Sequence, residues 1–208
     1  MNERPLSVFA LVDLLDAFAS SDPVPGGGSA SALAGAVGVS LLIMVADMPK
    51  TRTGAPEETA DLADAASRLR PRRDEMAGLV DSDSDAYAAV VAAYRLPKTN
   101  DLEKQTRTQA IQVAMREATE VPLETMRVCQ QALRGAVIVA DAGNPNAKSD
   151  VGVAVELLMA GLRGARMNVD INLASLSDAA YVSRVAEERD ALVADAEADA
   201  DRARNALK

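Results

Sequence analysis

The sequence contains no histidine and no tryptophan, a single cysteine, and only two phenylalanines and three tyrosines among its 208 residues. Without histidine there is no Ser-His-Asp triad, no imidazole base near neutral pH, and none of the commonest transition-metal ligand. One cysteine cannot make an internal disulfide or a Cys-rich zinc site, and it suits a reducing compartment. Positive charge is scarce as well: 22 Lys and Arg against 31 Asp and Glu give a formal net charge of −9, which disfavours a nucleic-acid partner. Long hydrophobic runs are few. The most apolar, Ala32 to Ala46, has 15 residues, short of the roughly 20 that span a bilayer, so it reads as a buried core helix. The N-terminus lacks a charged leader followed by an apolar stretch and a cleavage site. The expectation is a cytoplasmic protein with no membrane partner, whose chemistry runs on carboxylates, lysines, hydroxyls and backbone groups.

What is present is helical pattern almost throughout. Alanine supplies about a fifth of the residues, and no stretch alternates at period two for long. A first helix is expected over Ser7 to Ala19, with Val8, Leu11, Val12, Leu15 and Phe18 on one face. The segment Asp22 to Gly28 forms a loop. A second helix runs from Ser29 to Met48, apolar on all sides as a central helix should be. After a break over Pro49 to Pro56, a third helix reaches Tyr94, with a kink or break expected at Pro71. Leu96-Pro97-Lys98 separates it from a fourth, Asp101 to Asp141, which Pro122 should bend. Gly143 to Lys148 is a loop. A fifth helix starts at Ser149-Asp150 and passes Asn172, and a charged, Ala-rich sixth begins near Asp178. The expected architecture is all-α: one bundle of about six to eight helices covering residues 1–208, with 178–208 as a charged C-terminal helix.

Three segments could carry chemistry. The loop Gly26-Gly27-Gly28-Ser29 opens the apolar helix, where free N–H groups favour a carboxylate or phosphate. It lacks the Gly-Lys-Ser/Thr ending of a P-loop, and a plain turn with Ser29 as cap explains it equally. The second is Asp83. Met76, Leu79, Val80, Tyr87, Val90 and Tyr94 form an apolar stripe, and Asp83 falls in its middle, whereas Asp81 and Asp85 read as a solvated face. Among the 31 acidic residues, Asp83 is the one this pattern singles out. A carboxylate there needs a partner, and it is suited either to a structural ion pair or to acid/base work. The flanking residues exclude an EF-hand, and no metal site is expected. The third comprises Asn144, Ser149 and Asp150 with Asn168 and Asn172 downstream. Ser-Asp can cap the fifth helix, and buried amides need partners or a ligand's polar edge. Lys50, Arg52, Arg95 and Lys98 are cations near loop boundaries. Met115, Met126, Met159 and Cys129 read as core filling.

Four stretches together resemble the cyclodeaminase/cyclohydrolase family of folate enzymes: PGGGSASALAGAVGVSLLIMVA, LVDSDSDAYAAVVAAYRLPKT, VPLETMRVC and GNPNAKSDVGVAVELLMAGLRGARMNVDINL. They occur in order over about residues 10 to 185. The resemblance implies an all-helical bundle that forms a homodimer, a tetrahydrofolate derivative as substrate, and no other cofactor. It implies Asp83 as the catalytic carboxylate, with Lys98 a second proton carrier or an anchor for the substrate's glutamate. Gly26, Gly27, Gly28, Ser29, Asn144, Ser149, Asp150, Asn168 and Asn172 fall on the family's substrate-site positions. The chain departs from the family after the apolar helix, reading Asp47-Met-Pro-Lys-Thr-Arg52 where a lysine cluster is usual, so Arg52 is the cation left to contact substrate. The implied reaction is hydrolysis of methenyltetrahydrofolate, favoured by VPLETMRVC and by the lack of an attached transferase domain. The alternatives are cyclodeamination of 5-formimidoyltetrahydrofolate and, in another class, a helical binding or scaffold protein without catalysis.

Overall fold

A computed structural model describes residues 5–208, so the first four residues of the expected 1–208 domain lie outside the described residues. The described residues hold six α-helices, α1 (Leu11–Ala19), α2 (Gly27–Ala46), α3 (Pro56–Tyr94), α4 (Asp101–Ala142), α5 (Lys148–Leu173) and α6 (Ala179–Ala206), with short 3-10 turns at Leu6–Val8 and Pro145–Ala147. Among them there is no strand. Five long helices surround one core: α2 packs on α3 and α5, α4 packs on α3 and α5, and α6 lies against α4 and α5. At the centre Gly35 of α2 and Gly161 of α5 meet around Cys129 of α4. A side chain at Gly161 would sit 2.7 Å from the Ser31 carbonyl, so small residues set this spacing. Burial of the Cys129 thiol pushes its pKa far up, leaving it an unreactive apolar filler.

The central helix has the length and composition of a membrane span, 20 residues of high hydropathy. It packs against α3, α4 and α5 on one side and leaves Val37 and Met44 exposed on the other, and each large side chain it buries contributes about 1.5–3 kcal/mol relative to exposure. Two prolines sit inside helices without ending them. Pro71 does not interrupt α3, correcting the break that was one of the two expectations there. Pro71 and Ser67, whose carbonyl it leaves without an N–H, are both exposed, so water can serve that carbonyl. Pro122 is buried within α4 and leaves the Ala118 carbonyl without its helical donor; the Asn172 side chain of α5 fills the gap at 2.9 Å.

The N-terminal segment departs from expectation. The first helix begins at Leu11, because Asp81 of α3 accepts hydrogen bonds from the Leu6 and Ser7 N–H groups and from the Ser7 hydroxyl, and Phe9 and Ala10 are extended. Asp81 is therefore an anchor and not a merely solvated carboxylate. Of α1 only Leu14 is buried, while Leu11 stays 68% exposed. After α2 the chain is tied down by Glu58, whose carboxylate accepts from the Thr51 and Thr53 hydroxyls and from the Thr53 and Gly54 N–H groups. The Thr51 hydroxyl and the Thr53 N–H hold its pKa down at about 2. Asp199, 1% exposed on α6, is the most deeply buried carboxylate and pairs with Gln130, Arg202 and, more distantly, Arg134.

Candidate active site

The antiparallel packing of α2 against α5 decides which candidate residues can meet. Asn168 of α5 lies beside Gly27 at the start of α2, and Asn144 touches Met48 just past its end. The 20 residues of α2 put these two places about 30 Å apart. The candidates divide accordingly into one cluster at the start of α2 and another at its end.

The first cluster centres on Asp83. Its half-buried carboxylate caps the first turn of α2. The Ser29 N–H donates to Oδ2 at 2.9 Å, and the fully buried Ser29 hydroxyl lies 3.0 Å from the same oxygen and 2.9 Å from the Val80 carbonyl. Ser84 Oγ is 3.4 Å from that hydroxyl. Gly28 faces the carboxylate so closely that a Cβ there would lie 2.5 Å from Asp83 Cγ. The negative charge sits at the positive end of the helix dipole, and Ser29 is the third residue of the turn, where an N–H has no partner within the helix. Among the described residues nothing donates to Asp83 Oδ1, and the Gly27 and Gly28 N–H groups have no acceptor. Asn168 spends one amide hydrogen on the Gly164 carbonyl at 3.0 Å and keeps the rest of its amide free. Gly26 is the residue before the helix.

The apolar stripe around Asp83 differs from its expected form. Met76, Leu79 and Val80 are buried, but Tyr87 and Tyr94 are exposed. Asp83 thus stands where α3 leaves the core instead of midway along a covered stripe. Alpha-2 starts at this level and covers nothing beyond it, so the ends of α3 and α4 project as a two-helix arm with a small core of Ala93, Ile111, Ala114 and Met115. Lys98 is exposed past the end of α3. The eleven residues from Ser84 to Tyr94 carry the chain about 16 Å from Asp83 before Lys98 is reached.

The second cluster is structural in its visible contacts. Arg52 donates its own N–H to the Ala142 carbonyl and its guanidinium to the carbonyls of Ala140 and Ala206, at 3.0 and 2.7 Å. It thereby caps the C-terminal ends of α4 and α6, where a cation is favoured. Nη2 makes both side-chain bonds, so the Nε and Nη1 hydrogens remain without an acceptor among the described residues. Asp47, in the divergent stretch, is held by Arg70. Asn144 accepts from the Asn146 N–H and caps the short turn before α5, whose own cap is Ala147 with no side-chain bond. Ser149 and Asp150 lie inside the first turn of α5 and do not cap it. Asn172, by contrast, lies one turn past Asn168 and so at the Asp83 end of α2; it is half-buried and donates one amide hydrogen to the Ala118 carbonyl.

Sequence reasoning missed Asp199 and the anchoring role of Asp81. The rule that singled out Asp83 applies to Asp199 too, since Ala196, Ala200 and Ala203 bury the same face of α6. A stripe of alanines does not register as strongly apolar, and so it was not visible. Among the described residues no three His, Cys, Asp or Glu side chains converge to hold a metal ion. A surface depression of about 400 Å³ on the projecting arm, lined by Ala89, Ala93, Gln109, Val113 and Glu117, does not include Asp83.

Comparison with known proteins shows the family and the fold of the chain. The family described as Formiminotransferase-cyclodeaminase matches residues 10–191. A methenyltetrahydrofolate cyclohydrolase of Methylorubrum extorquens is 42% identical over 182 residues, 88% of each chain. The formimidoyltransferase-cyclodeaminase of Rattus norvegicus is 31% identical over 85% of this chain, which spans about a third of that longer protein (32%). A solved structure of formiminotetrahydrofolate cyclodeaminase from Thermotoga maritima superposes with a TM-score of 0.87 at 26% identity, covering 97% of each chain.

Proposed function

Because the chain belongs to the formiminotransferase-cyclodeaminase family, we propose that it is a folate one-carbon enzyme hydrolysing 5,10-methenyltetrahydrofolate to 10-formyltetrahydrofolate. The observation that carries this reading is the Asp83 carboxylate, with one oxygen anchored to α2 and the other open, in a protein without histidine. Hydrolysis is favoured over ammonia release by the relative named for it, which shares 42% identity where the cyclodeaminases cited above share 31% and 26%.

The reacting carbon of the substrate is cationic and bridges N5 and N10. A fixed carboxylate beside it lowers the energy of that charge and of the dipole that forms as water adds. Asp83 Oδ1 takes a proton as the water oxygen bonds to the carbon and the C=N electron pair moves onto nitrogen. The same oxygen then returns the proton to N5 while the C–N5 bond breaks, and the remaining hydroxyl loses its proton to solvent as the formyl C=O forms. One proton is released per turnover. The Gly27 N–H can donate to the new oxygen, and the free part of the Asn168 amide suits the pterin's polar edge. Lys98, about 16 Å or more from Asp83 along the chain, enters as an anchor for the substrate's glutamate carboxylate and not as a proton carrier. Asn144, Ser149 and Asp150, at the far end of α2, have no part in this step.

The reading includes a homodimer in the cytoplasm. Alpha-2 and α5 pack together and both turn apolar side chains to solvent, Met167 at 64% and Ile171 at 68% exposure among them. A second copy over this face would remove that surface from water.

The test is direct. The purified protein is given methenyltetrahydrofolate, with loss of the methenyl absorbance followed, and 5-formimidoyltetrahydrofolate, with ammonia release followed. The first should react. Asp83→Asn, with an unchanged helical signal, should lose about 10²–10⁴-fold in rate. Full activity in that variant overturns the mechanism, ammonia release alone supports cyclodeamination, and inactivity on both substrates supports a binding or scaffold protein.

A further inference from the structure

The glycine-rich turn Gly26 to Ser29 lies at the candidate substrate site, at the start of α2. The contacts of Gly28 and Ser29 point inward instead. A Cβ at Gly28 would lie 2.5 Å from Asp83 Cγ and 2.8 Å from Oδ2, and closer still to Oδ1. No real side chain tolerates such distances, and the carboxylate occupies the volume a side chain would need. Gly28 itself is buried. By contrast, a Cβ at Gly27 would meet nothing nearer than Asn168 Nδ2 at 3.9 Å, and at Gly26 nothing nearer than the Pro23 carbonyl at 3.5 Å. Two of the three glycines therefore have room for a side chain, and one does not.

Ser29 completes the hold. Its N–H and hydroxyl both reach Oδ2, and the hydroxyl is also within range of the Val80 carbonyl. A hydroxyl has one hydrogen, so it shares that hydrogen between Oδ2 and Val80 while the N–H stays on Oδ2. The two carboxylate oxygens are made unequal. Oδ2 is tied to the first turn of α2, and Oδ1 is left without a donor among the described residues.

We infer that Gly28 and Ser29 are positioning residues for Asp83. They lock its carboxylate so that Oδ1 alone exchanges the proton, and they do not contact substrate. This rests on the acid/base reading of Asp83.

The experiment is a cycle of Gly28→Ala and Asp83→Ala, with Ser29→Ala measured beside it. In the otherwise wild-type protein, Gly28→Ala displaces the carboxylate by an ångström or more, and kcat should fall about 100-fold with KM nearly unchanged. Tm should fall too. In the Asp83→Ala background the three atoms nearest to that Cβ are gone, and an alanine in a helix is more favourable than glycine, so Gly28→Ala should cost much less Tm than in the wild type or raise it. Ser29→Ala should lower kcat and spare KM, and Ser29→Thr, which keeps the hydroxyl, should recover part of the loss.

A Gly28→Ala variant whose KM rises while kcat holds would overturn the inference, because that marks a substrate contact. So would a Gly28→Ala penalty in Tm of the same size in both backgrounds. The stability cycle needs no activity, so it remains readable if Asp83→Asn proves fully active. In that case the acid/base reading falls, and the inference with it, while the cycle still reports whether Gly28 makes room for Asp83.

Discussion

The contact between Asn172 and the Ala118 carbonyl allows a quantitative test of what a motif residue is for. Pro122 has no N–H, so the carbonyl four residues earlier, Ala118, loses its helical partner, and the Asn172 amide supplies the bond at 2.9 Å. Asn172→Ala removes that donor and leaves a half-buried carbonyl next to a fully packed core. A lost hydrogen bond costs about 0.5–1.5 kcal/mol, and a buried acceptor left without a partner costs about 1–3 kcal/mol. Because Asn172 is half-buried, water can compensate in part, which places the expected loss at about 1–2 kcal/mol. For a chain of this length each kcal/mol shifts Tm by about 2–4 °C, so a drop of roughly 2–8 °C is expected. The check is a double-mutant cycle by denaturant titration, followed through the helical circular dichroism signal. Pro122→Ala restores an N–H that can bond Ala118 within α4, and in that background Asn172→Ala should cost less than about 0.5 kcal/mol. The coupling of about 1 kcal/mol would be typical of residues in one hydrogen-bond network. An Asn172→Ala penalty that is equal in the two backgrounds refutes the account, and would return Asn172 to the list of substrate contacts.

Two further outcomes follow from the loop after α2. Glu58 has its pKa lowered from 4.5 to about 2 by the Thr51 hydroxyl and the Thr53 N–H. A carboxylate depressed in the folded state contributes stability above its unfolded pKa and loses it as pH falls towards the folded value. Glu58→Gln should therefore be less stable than the wild type at neutral pH, and the gap should close between pH 4.5 and about 2; a gap independent of pH in thermal melts argues against it. Arg52→Ala frees the carbonyls of Ala140 and Ala206, so stability should fall by about 1–2 kcal/mol while KM for the folate stays within twofold or so, whereas a large rise in KM with unchanged Tm would make Arg52 a substrate contact.

The helical class, the order of the helices and the partial burial of Asp83 were legible in the chain itself. Apolar residues three and four apart, prolines at breaks and glycines ahead of a long apolar segment are local signals, and they act through local geometry. The reading went astray where a residue's partner lies far along the chain. Leu6 to Val8 form a separate 3-10 turn before the first helix, held by Asp81, more than seventy residues away, which accepts from the Leu6 and Ser7 N–H groups. Pro71 leaves no break because it faces water, and Pro122 is tolerated because Asn172 reaches across from α5. Asp199 escaped notice because the face it shares is built of alanine.

The candidate site divides along the same line. Composition by itself excluded imidazole and left carboxylates, lysines, hydroxyls and backbone groups, and periodicity singled out Asp83. Only the packing of α2 between α3 and α5 decided which motif residues stand beside it. That packing brings Gly28, Ser29 and Asn168 to the carboxylate, and carries Asn144, Ser149 and Asp150 to the other end of the bundle. A motif records spacing along one dimension, whereas a site needs atoms within about 3 Å in three, and the antiparallel crossing of two helices is what converts the one into the other.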